Sequence, residues 1–187
     1  LAIGASPARV EVTGDLKLDA PAPGGMLERG WEVHLESGSP LLVAASTHAP
    51  EEELLLAAVR RLREEGVEVR LALAPRRVAR GAEVERLARG AGFETRRLSG
   101  PPGPAPVLVV DTFGLLSSLW PHAAVGFLGG TLAPLGGHSP AGAAEAGVPL
   151  LAGPSLDGGR ELADALRSVG ALVDVRGDGA AEELADP

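Results

Sequence analysis

The feature that most restricts this chain is a rhythm: from Pro40 onward, short apolar runs alternate with segments of helical pattern. PLLVAA (40–45), VEVRLALA (67–74), VLVV (107–110) and VPLLA (148–152) are nearly continuous in Val, Leu and Ala, which suits strands covered on both faces. Strands separated by helices pair in parallel, because a parallel neighbour needs a crossover and the intervening helix supplies it. The expected fold class is therefore α/β, a Rossmann-like parallel sheet with helices on both faces.

Taken in order, the chain predicts a short strand at 9–14 and a Pro/Gly-punctuated loop through Pro21 and Gly25. A helix follows over 26–36, with Leu27, Trp31 and Leu35 on one face and His34 on a solvated one. Helices are expected at 51–65, 83–89, from Asp111-Thr112 to Leu119, at 158–169 and at 180–185. Further strands are expected at 93–98 and 171–175. Ser99 to Pro106 (SGPPGPAP) reads as a surface loop. LAIGASP, at residues 1–7, resembles the end of a helix and its exit turn.

The stretch Ala123 to Pro154 draws most of the functional expectation. An apolar strand leads into a loop with two Gly pairs, Gly129-Gly130 and Gly136-Gly137, then into a short Ala-rich helix entered after His138, then into another strand. Exposed N–H groups, close approach at Gly and a helix N-terminus together suit a phosphate. Other strands end at the same edge of the sheet, where open α/β folds place ligand groups. Ser46-Thr47-His48 follows one strand, as an N-cap with a bystander His or as a ligand contact. Pro75-Arg76-Arg77 follows another and offers the guanidinium fork that suits phosphate. Asp111 follows a third, as a cap or a hydroxyl ligand. Glu51, Glu52 and Glu53, in the first turn of the next helix, read as complements to its dipole.

Several chemistries are excluded by composition. There is no Cys, hence no disulfide, thiolate site or Cys nucleophile, and the net charge of −8 argues against a basic nucleic-acid surface. The one lysine, Lys17, is far from any Walker pattern, the glycines do not spell G-x-G-x-x-G, and Ser139 sits in no G-x-S-x-G elbow. His34, His48, His122 and His138 lack metal-ligand spacing. No apolar run reaches the roughly 20 residues of a membrane span, and the start lacks a signal-peptide layout.

Across roughly Val10 to Val175 the chain resembles the C-terminal domain of the 3-deoxy-D-manno-octulosonic acid (Kdo) transferases. Residues 12–19 (VTGDLKLD) are similar to the family's V-T-G-N-L-K-F-D. Ser46-Thr47-His48 with Glu51-Glu52 is similar to S-T-H-x-x-E-E, and Pro75-Arg76 to the start of P-R-H. Asp111-Thr112-Phe113-Gly114 resembles D-T-x-G, residues 127–132 resemble F-V-G-G-S-L, and residues 136–140 resemble G-G-H-N-P. Gly153-Pro154 and Arg160-Glu161 match the ends of G-P-H-T-F-N-F-R-E. Asp15, Arg77, Leu115, Ser139, Gly142 and Gly158 depart from the motifs, standing for Asn, His, Glu, Asn, Glu and Asn.

The resemblance implies the C-terminal half of a GT-B glycosyltransferase. Residues 1–20 would form the inter-domain connection and first strand and residues 21–187 the donor-binding domain; the N-terminal acceptor domain is not in this chain. It implies transfer of Kdo from CMP-Kdo to lipid A or its precursor in lipopolysaccharide biosynthesis, with inversion and with neither metal nor cofactor. CMP-Kdo or CMP would be the donor ligand, with no nucleic-acid partner. The full-length protein would sit peripherally on the cytoplasmic face of the inner membrane. No catalytic residue is expected in this chain. Donor binding is assigned to Ser46, Thr47, His48, Pro75, Arg76, Asp111 and Thr112 on one side, and to Gly129, Gly130, Thr131, Gly136, Gly137, His138, Ser139 and Glu145 on the other. Glu145 is the substitute, one turn on, for the Glu missing at Gly142. A non-catalytic GT-B scaffold and a GT-B enzyme using another nucleotide sugar, such as a UDP-sugar epimerase, are the alternatives.

Overall fold

A computed structural model describes residues 6–11, 31, 35 and 38–176. Seven parallel strands form one sheet in the order β3-β4-β2-β1-β5-β6-β7. They are β1 (Leu41–Thr47), β2 (Arg70–Pro75), β3 (Thr95–Arg97), β4 (Val107–Val109), β5 (Val125–Leu128), β6 (Leu150–Ala152) and β7 (Leu172–Asp174). The α-helices with full boundaries are α1 (Glu51–Glu64), α2 (Gly81–Gly90), α3 (Ala141–Glu145) and α4 (Arg160–Ser168).

Alternation along the strands sorts the core into two layers. Leu41, Val43 and Ala45 of β1, with Ala72 and Ala74 of β2, face a cluster that contains Trp31, Leu35, Leu119, Trp120, Ala143 and Ala163. Their neighbours Leu42, Ala44, Leu71 and Leu73 face Leu55, Leu56, Val59, Val84 and Ala88 from α1 and α2. The sheet is thus sandwiched between helices, as the continuous apolar runs require.

Two expectations need correction. Asp111 to Leu119 forms no α-helix: Leu116–Ser118 and Trp120–His122 are separate 3-10 turns, the second holding Pro121, whose missing N–H suits a helix start rather than an interior. At 9–14, Pro7–Arg9 is a 3-10 turn, and Val10 and Glu11 are not in a strand. Trp31 and Leu35 are helical and buried, as their spacing predicts. The 12–19 motif, the rest of the 26–36 helix with His34, and the 180–185 helix lie outside the described residues.

The topology decides where a ligand can enter. From β1 the chain runs to β2 and on to β3 and β4, then returns to lay β5 on the other side of β1. Connections leaving β1 and β5 therefore diverge, and a crevice opens at their carboxyl ends.

Candidate functional site

Both walls of that crevice are built from the motif residues. β1 is disrupted at its end: register shifts between Ala45 and Thr47, and Ser46 takes a left-handed φ of 56°, unusual for a residue with a side chain. β5 ends directly alongside, and a Cβ on Gly129 would lie 2.4 Å from the Ser46 carbonyl oxygen. Only glycine permits this approach. On the other flank the Arg76 N–H donates to the Thr47 carbonyl at 3.0 Å, tying the end of β2 to β1.

Glu51 joins the walls. Its carboxylate is fully buried. It accepts the N–H groups of His48 (2.9 Å), Gly130 (2.8 Å), Thr131 (3.1 Å) and Leu132 (3.1 Å). Three successive N–H groups turned inward make an anion-binding concavity, and here the anion is internal. This corrects the expectation of free N–H groups. Gly137 N–H likewise donates to Gly130 O (2.9 Å) and Gly136 N–H to Ser155 Oγ (3.1 Å). One glycine of each pair, Gly129 and Gly137, serves close packing: a Cβ on Gly137 would lie 2.7 Å from Thr131 Cγ2 and 2.8 Å from Leu156 Cδ1. Buried donors must be satisfied within the protein, and those of Gly129, Gly130 and Thr131 are.

Glu52 is buried beside it. Its Oε1 accepts from Thr47 Oγ1 (3.0 Å) and from Arg80 Nη1 (2.8 Å), while Oε2 is buried without a partner among the described residues. Arg80 also donates to Glu83, and the bond to Glu83, followed by that to Glu52, holds its guanidinium charged. Glu51, Glu52 and Arg80 were not expected as site residues. Acidic residues opening a helix resemble dipole complements, and the one usable signal was the E-E of the S-T-H-x-x-E-E resemblance.

In front of these supports lies a cavity of about 300 Å3, lined by Thr47, His48, Ala49, Arg76, Arg77, Arg80 and Leu135. Arg76 and Arg77 are exposed. The half-buried His138 is electrostatically coupled to this group: burial lowers its pKa, and Arg76 and His48 lower it further, against a weaker pull from Glu51. His138 is thus kept neutral beside a guanidinium. Gly130 passes under His48, whose Cδ2 would be 3.6 Å from a Cβ there.

Ser46, Thr47, His48, Pro75, Arg76, Gly129, Gly130, Thr131, Gly137 and His138 are thus gathered at one edge, though not in one role. Thr131 is fully buried; its hydroxyl donates to Leu128 O and accepts from Gly153 N–H at 2.7 Å, which makes it a brace between loops. Asp111 is turned away: its carboxylate accepts from Ser99 N–H (2.9 Å), Ser99 Oγ (2.7 Å) and Arg97 (3.4 Å), so it caps no helix. Thr112 follows it outside any helix or strand. Ser139 is exposed, its Oγ accepting from Ala141 N–H at 3.3 Å, and Glu145 is exposed at the far end of α3. That helix has five residues, too few for a strong dipole, so the positive charge at this edge comes from the arginines. Gly142 faces Trp120: a Cβ there would lie 3.2 Å from the indole Nε1.

A second cavity, of about 380 Å3, lies at the amino ends of β1, β2 and β4 and is lined by Trp31, Leu35, Arg63, Arg70 and Arg96 among others. It contains none of the motif residues. Among the described residues there is no cluster of His, Asp and Glu fit to hold a metal, and no helix is long and apolar enough to cross a membrane.

No family model matches the chain. Individual relatives do. A 3-deoxy-D-manno-octulosonic acid transferase from Chlamydia pneumoniae is 33% identical over 91% of this chain and 40% of its own length. Those of Bordetella pertussis and Aquifex aeolicus are 33% and 31% identical, over 76% and 73% of this chain. The chain spans 35–40% of the length of these relatives. Among solved structures, the C-terminal CMP-Kdo binding domain of WaaA from Acinetobacter baumannii matches with a TM-score of 0.72 and 26% identity, over 84% of this chain and 81% of that one. At 33% identity over 91% of its length to one such enzyme, and with its fold in common with that domain, the chain belongs to the 3-deoxy-D-manno-octulosonic acid transferase family, as a counterpart of the C-terminal part of those enzymes.

Proposed function

We propose that the chain is the donor-binding half of a Kdo-transferase-like glycosyltransferase, holding the phosphate of CMP-Kdo or CMP at the carboxyl ends of β1, β2 and β5. The observation that carries this is Arg76: an exposed guanidinium, unpaired with any carboxylate among the described residues, on a cavity at the switch point of the sheet. A leaving phosphate needs fixed positive charge, and Arg supplies it without a metal. His138, neutral beside it, can donate or accept one hydrogen bond without adding charge. Thr47 and His48 line the same cavity, as does Arg80, braced by Glu52. Inversion, the catalytic base and the lipid A precursor acceptor belong in this reading to an N-terminal domain joined through residues 1–20, at the cytoplasmic face of the inner membrane. By itself the chain binds and does not catalyse.

Titration with CMP tests this. The thermal midpoint rises with ligand concentration, amide shifts concentrate at His48, Arg76 and His138, and Arg76→Ala removes both effects. No response at millimolar CMP would overturn the reading. A scaffold without donor binding is the second reading. It is favoured by Gly142, which stands against Trp120 where the family pattern has Glu, and it predicts silence toward every nucleotide.

A further inference from the structure

The cavity presents two exposed guanidiniums that no carboxylate pairs with among the described residues. Of its three guanidiniums, Arg80 is already matched by Glu52 at 2.8 Å and Glu83 at 2.8 Å. Arg76 and Arg77 are not: both are exposed, both line the cavity, and neither forms an ion pair among the described residues. The remaining carboxylate nearby, Glu51, faces inward onto four main-chain N–H groups. His138 adds no charge, because burial and Arg76 keep it neutral. Two adjacent unpaired cations at a concave surface repel each other, and a single anion relieves only part of that repulsion. Each guanidinium also presents a fork able to take an oxyanion in two parallel hydrogen bonds.

We infer that Arg76 and Arg77 form a two-anion subsite, in which Arg76 holds the nucleotide phosphate and Arg77 reads a second negative group directly beside it. The inference rests on the donor-binding reading above and goes further by giving a role to Arg77, which departs from the family motif. The shared chemistry is a pair of oxyanions a few bonds apart. It has two sources: the second phosphate of a nucleoside diphosphate, and a carboxylate on the sugar carbon that bears the phosphate of a nucleoside monophosphate ester. Arg77 is the specificity-determining residue for this second anion.

Calorimetric titration of the 187-residue chain at fixed 0.15 M salt, with three probes, tests the assignment. The methyl ester of cytidine 5′-phosphate carries one charge, CDP carries adjacent phosphates, and CMP-N-acetylneuraminate carries a phosphodiester with a neighbouring carboxylate. At least one two-anion probe should bind about tenfold more tightly than the methyl ester, as one further charge-assisted contact provides. CDP as that probe identifies the diphosphate source, and CMP-N-acetylneuraminate identifies the acid sugar. Arg77→Ala and Arg77→His should abolish the difference while leaving methyl ester affinity within about twofold, and Arg76→Ala should weaken all three. Equal binding of the three probes to the parent chain, or a uniform loss in Arg77→Ala, overturns the two-anion subsite alone. Failure of every probe to bind, or methyl ester binding indifferent to Arg76→Ala, overturns the donor-binding reading and the subsite with it.

Discussion

Glu51 and Gly130 are 79 positions apart in sequence, yet the Glu51 carboxylate accepts the Gly130 N–H at 2.8 Å in the interior of the protein. This contact, with those to His48, Thr131 and Leu132, couples the end of β1 to the end of β5 at the crevice between them. The site is thus held from behind by a buried charge.

Replacing that charge should be costly. In Glu51→Ala four N–H groups, two of them buried, lose their acceptor, and in Glu51→Gln an amide NH2 meets donors. Stability should fall by about 3–5 kcal/mol, read from urea unfolding. Near-parental stability for Glu51→Ala would mean that the carboxylate is dispensable.

Gly129 and Gly66 separate two uses of glycine. Gly66 has φ +87° with nothing within 4 Å of a Cβ, so Gly66→Ala should cost about 1 kcal/mol of backbone strain. A Cβ on Gly129 meets the Ser46 main chain at 2.4 Å, so Gly129→Ala should cost more than about 3 kcal/mol. Similar thermal midpoints for the two variants would contradict the close approach of β1 and β5.

Arg80 balances a carboxylate that water does not reach. Its side chain is 21% exposed and that of Glu52 0%. Arg80→Ala strands the Glu52 charge and should lower stability by about 2–4 kcal/mol. Adding Glu52→Gln to Arg80→Ala removes the stranded charge and should recover part of the loss; a further drop in the double variant would show that the charge was not the cause.

His138 should titrate below the ordinary value of 6.5, because of burial first and Arg76 second. The unfolded chain then takes up the proton first, so the stability contributed by neutral His138 is complete above about pH 6.5 and declines as the pH falls toward the folded pKa. Arg76→Ala, or an oxyanion bound at Arg76, should move the His138 midpoint upward in an NMR titration. An unchanged midpoint in Arg76→Ala would separate the two residues.

Much of the fold was legible locally. Val43, Leu73 and Val109 lie in apolar runs whose period and length specify buried strands, and Trp31 and Leu35 announced a buried helical face by spacing alone. The residues at strand ends could be assigned to one edge because parallel strands share a direction. In the 111–119 segment the apolar residues suit 3-10 turns leading to Pro121 as well as they suit an α-helix, so their pattern does not separate the two.

The sequence by itself determined an α/β sheet, its two apolar faces and the edge where Ser46 to His48, Arg76 and the Gly pairs collect, since these follow from periodicity and chain direction. Only the tertiary structure decided that β5 lies against β1 and that the N–H groups of Gly130, Thr131 and Leu132 are taken by Glu51. It also turned Asp111 toward Ser99 and left Arg76 and Arg77 facing the cavity. The reason is physical: a carboxylate in the first turn of a helix is the same residue whether it faces water or three N–H groups, and only the strand packed beside it makes the difference.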